Sequence, residues 1–378
     1  MATKKERFTA LGNYIFAGGF TLGVEQHFKV LGHLEDGPFG VATARQHWPG
    51  MVIQTSPSLW EIEALKLMHD SGRALDLLYC NPPCAAWSKA GTFVTKGRSA
   101  YKDAEHYTSC TTRAADLALR LNPNIWVWES VPQAWEFGHE FTKHLAEKFN
   151  EAGYFVTLLF TDLQLHGCPQ RRPRFHFIAS KLHLDYEDLL HRKYTVTTGV
   201  REFLDQFSFG TETVSPLSNV ISTVIREMKK SKQFGSVRQV ADRVVGGEHM
   251  YPLRTASTGR QYRTGRPPFL VKRVKPDKSC ETITGGAKLI HPDKVRYLSV
   301  EEQQVLGGWP LSFKFQGTVG SQYAQVGKAV QPATGEFIAR VAASALRMRQ
   351  PVAKPGFFML DLRPVLSERE PVYEQLTL

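Results

Sequence analysis

The stretch from Leu77 to Ser88 constrains the fold of this chain most, because an apolar run there stops abruptly at two prolines. Proline fixes its own φ and keeps the preceding residue out of the helical region. The run therefore predicts a buried strand that ends in a rigid, extended turn and delivers Cys84. In open α/β sheets, ligands and reacting groups collect at this end of the strands. Cys84 is then either a small buried cysteine in a turn or a nucleophile, and the remaining sequence has to distinguish the two.

The overall charge favours a polyanionic partner. The 378 residues include 47 Lys and Arg against 36 Asp and Glu, a formal net charge of +11, although a generally basic protein would share this composition. The five cysteines show none of the paired spacings typical of zinc ligands, which predicts no metal and a reducing compartment. No apolar signal core and no run of membrane-spanning length is present. A chain of this length can form two lobes, and a cytosolic enzyme or nucleic-acid binder is the class to test.

A glycine-rich turn near the start is typical of a cofactor site. Residues 13–16 predict a first strand, and residues 17–25 predict a glycine turn that enters a helix. A second strand, from Phe28, ends at Glu35, where nucleotide-binding α/β units place a carboxylate for ribose hydroxyls. A solvated acid at a strand end is the alternative for Glu35.

A second reactive side chain also follows a strand and is braced by a proline. Residues 124–128 predict a buried strand that ends on Glu129, and Pro132 follows shortly after. If this strand and the one before Cys84 are parallel neighbours, the carboxyl and the thiol lie side by side.

A third strand carries positive charge. Arg172, Arg174 and His176 alternate with phenylalanines, which predicts a strand with one cationic face suited to an anionic or carbonyl-bearing substrate. Apolar spacing predicts further elements around it: helices at 59–71, 114–121 and 139–151, and a strand at 154–160.

The alternation of strands and helices fades after residue 180. Up to about residue 269 the chain is irregular and basic, and Arg254, Arg260 and Arg263 stand among Gly, Ser, Thr and Tyr. Such a segment suits phosphate and base-edge contacts, and a flexible solvated loop is the alternative. A helix that begins at Ser299 and a final helix that follows Pro332 and runs to about Met348 come next. The tail from Gln350 contains four prolines, which predicts an extension over the surface.

In this order along the chain, six motifs resemble those of the DNA cytosine-C5 methyltransferase family. After the glycine turn, the early ones are Pro83-Cys84-x-x-Trp87-Ser88 for the nucleophile loop, Glu129-Ser130-Val131 for Glu-Asn-Val, and Gln170-x-Arg172-x-Arg174 for Gln-x-Arg-x-Arg. The late ones are Arg296-Tyr297-Leu298-Ser299-x-Glu301-Glu302 with the following Leu306-Gly307-Gly308-Trp309-Pro310, and Tyr323-x-Gln325-Val326-Gly327-Lys328-Ala329-Val330. Any one motif would be weak, whereas six in the family's order are a strong resemblance.

The resemblance implies an α/β fold, a Rossmann-like class I methyltransferase sheet with a smaller, irregular target-recognition domain. The implied domains are a catalytic and cofactor-binding domain at 1–181, a basic target-recognition domain at 182–280, a return to the catalytic domain at 281–349 and a C-terminal tail at 350–378.

The resemblance also implies a reaction. The Cys84 thiolate would add to C6 of a cytosine flipped out of DNA, and the activated C5 would take a methyl group from S-adenosylmethionine. Glu129 would hold cytosine N3 and the amino group. Arg172 and Arg174 would anchor the loop and the base carbonyl, with Arg174 favoured for the carbonyl.

The implied partners are the methyl donor and double-stranded DNA, with no metal and no membrane. The cofactor-binding residues would be Phe16, Ala17, Gly18, Gly19, Phe20, Glu35, Pro83, Lys328 and Val330. The DNA-binding residues would be Ser88, Gln170, Arg254, Arg260 and Arg263. We expect a monomer in the cytoplasm of a bacterial or phage-infected cell.

Several positions depart from the family pattern. The glycine loop is shortened at residues 16–20, residues 54–56 supply no Asp to face the adenine, and Ala85 and Ser130 replace Gln and Asn. Lys328 stands in place of Asn beside the reactive end of the donor, where a cation would repel a sulfonium unless an anion intervenes. This suggests an anionic donor such as carboxy-S-adenosylmethionine, and a lysine turned toward DNA phosphate or solvent is the alternative.

Other functions fit parts of the sequence. Asn81-Pro82-Pro83 is similar to the motif of amino-methyltransferases, although Cys84 stands where they have an aromatic residue and Glu129 has no role in their scheme. A non-catalytic DNA-binding protein could keep the fold, but it would not need the nucleophile. A tRNA substrate also fits the fold, and the separate basic lobe favours duplex DNA.

Overall fold

The computed structural model describes residues 7–84, 87, 104–185, 199–210, 272–285, 289–294 and 296–377. Its first half alternates strands and helices: β1 Phe8–Asn13, α1 Gly19–Val24, β2 Phe28–Glu35, α2 Val41–His47, β3 Val52–Gln54, a 3-10 turn Pro57–Leu59, α3 Trp60–Ser71, β4 Leu77–Cys80, α4 Ala104–Leu121 and β5 Ile125–Ser130. There follow α5 Gln133–Glu136, α6 His139–Glu151, β6 Phe155–Asp162, a 3-10 turn Leu163–His166 and β7 Pro173–Ser180.

The remaining elements are short until the last helices and strands. They are α7 Val200–Leu204, β8 Lys272–Arg273, β9 Leu289–Ile290, α8 Val300–Val305, α9 Val319–Lys328, α10 Pro332–Met348, β10 Gly356–Asp361, a 3-10 turn Arg363–Ser367 and β11 Val372–Gln375. Strands β8 and β9 form a separate two-stranded sheet.

One nine-stranded sheet organises the catalytic part. Its order is β11-β10-β6-β7-β5-β4-β1-β2-β3. Strand β7 runs antiparallel to both of its neighbours, β5 and β6, whereas β4 and β5 are parallel. The beginning of β7 therefore lies at the same edge as the ends of β4 and β5, which is the edge where a doubly wound sheet places its site.

Helices cover both faces of the sheet, and its central strands β4 and β5 are buried along their whole length. One core holds side chains of α1, α8, α9 and α10, and the other holds side chains of α3, α4, α5 and α6. The predicted α/β architecture is confirmed.

Several boundaries follow the predictions closely. The helices α6 and α10 have the predicted bounds, 139–151 and 332–348. The capping box at the start of α8 is present, because the Ser299 hydroxyl accepts from the Glu302 N–H at 3.0 Å and the Glu302 carboxylate accepts from the Ser299 N–H at 2.8 Å.

The predicted first strand was wrong in its position. It was placed at residues 13–16, but β1 ends at Asn13. Tyr14 and Phe16 adopt positive φ angles of 52° and 58°, which no strand tolerates. The turn into α1 therefore begins immediately after the sheet.

The tail was also predicted wrongly, because it completes the sheet. Strand β10 pairs in parallel with β6, and β11 pairs with β10. The prolines lie where strands are interrupted: Pro355 and Pro371 directly precede β10 and β11, and Pro364 lies in the 3-10 turn between them. Proline is tolerated at such positions, so its presence did not exclude strands.

The predicted target-recognition domain, 182–280, falls largely outside the described residues, and its boundaries stay a prediction. Its described parts are 182–185, 199–210 and 272–280. Within the described part of the chain, no helix is both long and apolar enough to cross a membrane.

We expect Phe357→Ala to lower the free energy of unfolding by about 3–5 kcal/mol, because the Phe357 ring is 1% exposed in the core and packs edge-on against Trp135. Val372→Ala in the adjacent edge strand, where Val372 is 45% exposed, should change it by no more than about 0.5 kcal/mol. Urea unfolding of both variants measures this. Equal, small effects would contradict the integration of the tail into the sheet.

Candidate active site

Three neighbouring strands bring three polar side chains to one face of the sheet. Asn81 directly follows β4, Glu129 lies near the end of β5, and Arg174 lies near the beginning of β7. Side chains alternate along a strand, so Glu129 faces the same side as Val127, whose side chain belongs to the core beneath α1 and α10. Strand order and alternation together produce the cluster.

Both oxygens of the Glu129 carboxyl are bound. Arg174 donates from Nε to Oε1 at 2.8 Å, and Asn81 donates from Nδ2 to Oε2 at 2.5 Å. The Glu129 residue is 3% exposed. Burial raises the pKa of this carboxyl, while Arg174 and Arg172 lower it. The group is thus held in a fixed orientation and is more readily protonated than an ordinary glutamic acid.

The thiol of Cys84 belongs to the same electrostatic environment. It lies beyond the two prolines, is half-buried and forms no disulfide. Burial raises the pKa of the Cys84 thiol, and the negative charge of Glu129 adds to this, whereas Arg174 and Arg172 lower it. A neutral Glu129 would therefore favour the Cys84 thiolate, which is the nucleophilic form.

Arg172 has a different position from Arg174. It is 2% exposed, and its guanidinium donates to the carbonyl oxygens of Ile283 at 2.8 Å, Gly327 at 3.0 Å and Ala329 at 2.9 Å. Arg172 therefore ties the late segments of the chain to the sheet. Its charge still acts on the pKa of Cys84 and Glu129, but both terminal nitrogens of its guanidinium donate to backbone.

The predicted cationic face of this strand is reduced to Arg174. His176 is fully buried, and burial lowers its pKa to about 3, so its ring is neutral. Arg172 is enclosed by backbone carbonyls. The alternation of residues was read correctly, but it could not show that later segments cover most of this face.

Gln170 also belongs to the frame. Its amide nitrogen donates to the Leu306 carbonyl at 3.0 Å, and its amide oxygen accepts from the Ile283 N–H at 3.0 Å. The residue is fully buried. Gln170 therefore braces the arginine motif against the late motifs, and its predicted contact with DNA stays a prediction.

The shortened glycine loop has positive φ angles at three positions. Tyr14, Phe16 and Gly18 have φ angles of 52°, 58° and 88°. A Cβ atom at Gly18 would lie 2.2 Å from the Trp48 ring, and one at Gly19 would lie 2.0 Å from the Val330 carbonyl oxygen. Glycine is therefore required at both positions, and the loop packs directly against the predicted cofactor residue Val330.

Glu35 supports this loop from the end of β2. Its carboxylate accepts from the backbone N–H groups of Phe16 at 3.0 Å, Asp36 at 3.1 Å and Gly37 at 3.3 Å. Burial raises the pKa of Glu35 to about 7, although these three donors oppose the shift. The solvated acid considered for Glu35 is excluded, because the residue is 6% exposed.

Lys328 lies beside the same loop. Its ammonium is 5.0 Å from the centre of the Phe39 ring, and the Phe39 and Phe16 rings are 4.6 Å apart. Lys328 is exposed, as is Pro83. Phe16, Phe39 and Lys328 thus form an aromatic and cationic rim beside the glycine loop, and Glu35 binds this loop from the end of β2.

Some predicted residues cannot be placed. Ser88, Arg254, Arg260 and Arg263 lie outside the described residues. In the described ranges, no group of three or more His, Cys, Asp or Glu side chains is arranged to hold a metal ion. Sequence reasoning missed Asn81 as a partner of Glu129, although its place directly before Pro82 at a strand end was a usable signal.

Comparison with known proteins places this site in a family. A family model described as C-5 cytosine-specific DNA methylase matches residues 15–343. The chain belongs to this family. The predicted family, the predicted class of enzyme and the class I methyltransferase fold are thereby confirmed, and family membership implies S-adenosylmethionine as cofactor and DNA as partner.

Named relatives cover most of the chain. Type II methyltransferase M1.HphI of Haemophilus parahaemolyticus is 27% identical over 330 residues, which is 85% of this chain and 83% of that protein. Type II methyltransferase M.XorII of Xanthomonas oryzae is 23% identical over 364 residues, 88% of this chain and 84% of that protein. The crystal structure of a DNA modification methyltransferase encoded within an E. coli prophage covers 90% of this chain and 99% of its own, with a TM-score of 0.65 and 18% identity.

We expect Arg172→Lys to lower the free energy of unfolding by at least about 3 kcal/mol, although the charge is kept. A single ammonium cannot reach the three carbonyls that the planar guanidinium spans, and buried acceptors would lose their donors. Arg171→Lys is the matched control, because the neighbouring side chain is exposed. Urea unfolding of the two variants decides, and equal stabilities would contradict a bracing role for Arg172.

Proposed function

We propose that this chain transfers a methyl group from S-adenosylmethionine to C5 of cytosine in double-stranded DNA, with Cys84 as the nucleophile. The observation that carries the proposal is the Glu129 carboxyl, bound by Arg174 and Asn81 at the edge where Cys84 emerges. A buried acid and a thiol at one strand edge suit addition to an electron-poor ring. A cytosine in a duplex is unreachable, so the base must be flipped out at a cost of a few kcal/mol.

The proposed reaction begins when Cys84 loses its thiol proton to solvent and the resulting thiolate adds to C6. Glu129 gives its proton to N3 as the C5–C6 double bond opens, and the remaining N–H groups of Arg174 hold the base carbonyl. The electron pair now at C5 attacks the methyl group of the donor, whose sulfur leaves as a neutral thioether. A base then removes the C5 proton, the Cys84–C6 bond breaks, and N3 returns its proton to Glu129.

The charges of the site suit this order of events. A protonated Glu129 removes the negative charge that disfavours the Cys84 thiolate. Arg174 and Arg172 remain positive and favour it. When the proton moves to N3, the carboxylate that results is stabilised by the same two donors that held the acid, so little has to move during the step.

The donor would occupy the rim formed by the glycine loop. Gly18 and Gly19 pack against the Trp48 ring and the Val330 carbonyl oxygen, which fixes the path of the loop that would hold the donor. Phe16 and Phe39 offer aromatic surface, and Glu35 orders the loop from below. When bound there, the donor would supply an electrophilic methyl group.

For the DNA, we propose that the basic segment within 182–280 grips the backbone and reads base edges, with Arg254, Arg260 and Arg263 as phosphate or base contacts. The net charge of +11 supports this polyanionic partner. Relatives named type II methyltransferases support a role in the modification of a defined DNA sequence. We propose that the chain acts as a monomer in the cytoplasm.

The two rival functions fit the site less well. In amino-methylation the Asn of Asn-Pro-Pro would serve the target base, but here the Asn81 amide is bound to Glu129. A non-catalytic DNA-binding protein would have no use for a buried acid held by two donors beside a thiol.

We expect a duplex that contains 5-fluorocytosine at the target position to form a denaturant-stable adduct with the wild-type protein and none with Cys84→Ser. Fluorine at C5 cannot be removed as a proton can, so the covalent intermediate accumulates. Cys168→Ser, which replaces another buried cysteine without a disulfide, should form the adduct as the wild type does. Gel mobility in denaturant is the measurement. Methylated DNA without any adduct would overturn the proposed mechanism.

A second donor is supported by Lys328, which lies beside the donor loop. Its ammonium could pair with the extra carboxylate of carboxy-S-adenosylmethionine, in which case the product would carry a carboxymethyl group. We expect Lys328→Asn to abolish any use of the carboxylated donor while it retains use of the ordinary one. Nucleoside mass spectrometry after reaction with each donor decides, and an unchanged donor preference would remove this candidate.

A further inference from the structure

We propose that Asn81 is a positioning residue that fixes where the acidic proton of Glu129 can lie, and thereby directs it to the cytosine ring. The inference rests on the proposed function and deepens it. Neither the nucleophile loop motif, which begins at Pro83, nor the Glu-Asn-Val motif includes Asn81.

The backbone places Asn81 for this role. Strands β4 and β5 are paired in parallel up to Cys80 and Trp128, so the next residues, Asn81 and Glu129, are cross-strand neighbours. Their side chains meet at 2.5 Å between Nδ2 and Oε2. Pro82 holds the Asn81 backbone in an extended conformation. The side chain is therefore anchored by a rigid turn that also carries Cys84.

The chemistry of the two neighbours of Glu129 restricts the proton. The Asn81 amide nitrogen and the Arg174 guanidinium donate hydrogen bonds and cannot accept them. A proton on Glu129 can therefore not lie along either contact, because two donors would face each other. It must occupy one of the lone pairs that the two contacts leave free, and the flipped base is the acceptor that the proposed reaction brings there.

An acceptor at position 81 would remove this restriction. Aspartate has nearly the shape of asparagine, but its carboxylate can share the Glu129 proton, as paired carboxyl groups do. The proton would then lie between residues 81 and 129 and would be lost to the ring. Alanine would remove the donor without offering an acceptor.

The other titratable and charged groups around Glu129 do not substitute for Asn81. Arg174 binds the other carboxyl oxygen, and Arg172 directs its donors to backbone. Burial and the nearby Glu129 charge raise the pKa of the Cys84 and Cys80 thiols, and neither thiol offers Glu129 a positive charge. His176, opposite Glu129 on β7, is neutral because burial lowers its pKa to about 3.

The test compares Asn81→Asp and Asn81→Ala with Asn124→Ala in single-turnover methylation of duplex DNA across pH. The Asn124 side-chain amide donates to the Asp76 carboxylate at 3.0 Å, the same kind of bond as that between Asn81 and Glu129. Asn124 directly precedes β5 and therefore lies at the opposite end of that strand from Glu129. We expect Asn81→Asp to lower the single-turnover rate at least about tenfold, with KM for DNA and donor within about twofold of the wild type. Asn124→Ala should keep both the rate and the pH profile.

The pH profile separates positioning from a structural role. Methylation requires the Cys84 thiolate, which makes the rate rise with pH, and protonated Glu129, which makes the rate fall as pH rises through the pKa of that carboxyl. The Asn81 donor favours the charged Glu129 carboxylate, and loss of this donor raises the pKa of Glu129. The fall in rate should therefore move to higher pH in both Asn81 variants.

An unchanged pH profile, or a rate loss that matches a loss of thermal stability, would overturn the inference. If the wild type produces no 5-methylcytosine, the proposed function fails as well, whereas an active wild type and an equally active Asn81→Asp overturn the inference alone.

Discussion

The buried carboxyl of Glu129 is the constraint on which this site depends. An isolated carboxylate in such a place would be unfavourable by several kcal/mol, so it needs donors at both oxygens. Arg174 and Asn81 supply them from the strands on either side of β5. Both contacts require β4, β5 and β7 to be neighbours, and β7 has to run antiparallel to β5. Only then does the beginning of β7 lie at the same edge of the sheet as the ends of β4 and β5.

The late motifs of the chain hold this edge together. Arg172 and Gln170 bind backbone groups of Ile283 and of the segments around Leu306 and Gly327, far away in sequence. The glycine loop is strained at Tyr14 and Phe16 and is kept in place by the carboxylate of Glu35. Order at the reacting edge thus comes from two parts of the chain, the glycine loop and the return segments that Arg172 and Gln170 bind.

The sequence predicted what local patterns determine. The bounds of α6 and α10 and the strand ends before Cys84 and at Glu129 followed from apolar periodicity and from proline. The sequence could not predict which polar side chains on one face of β7 are covered by other segments of the chain. Arg172 and His176 share the period of Arg174, but segments more than a hundred residues away enclose Arg172. The tail was predicted to be a surface extension because it contains four prolines. Two of them directly precede strands β10 and β11, and the number of prolines alone does not reveal such positions.

The central claim is that the Glu129 cluster and Cys84 act together on C5 of cytosine. Nucleoside mass spectrometry of DNA from cells that express the wild-type chain, Cys84→Ser or Glu129→Gln tests it most directly. The account predicts 5-methylcytosine with the wild type and none above background with either variant. Methylated amino groups on cytosine or adenine, or 5-methylcytosine that persists in Cys84→Ser, would contradict it.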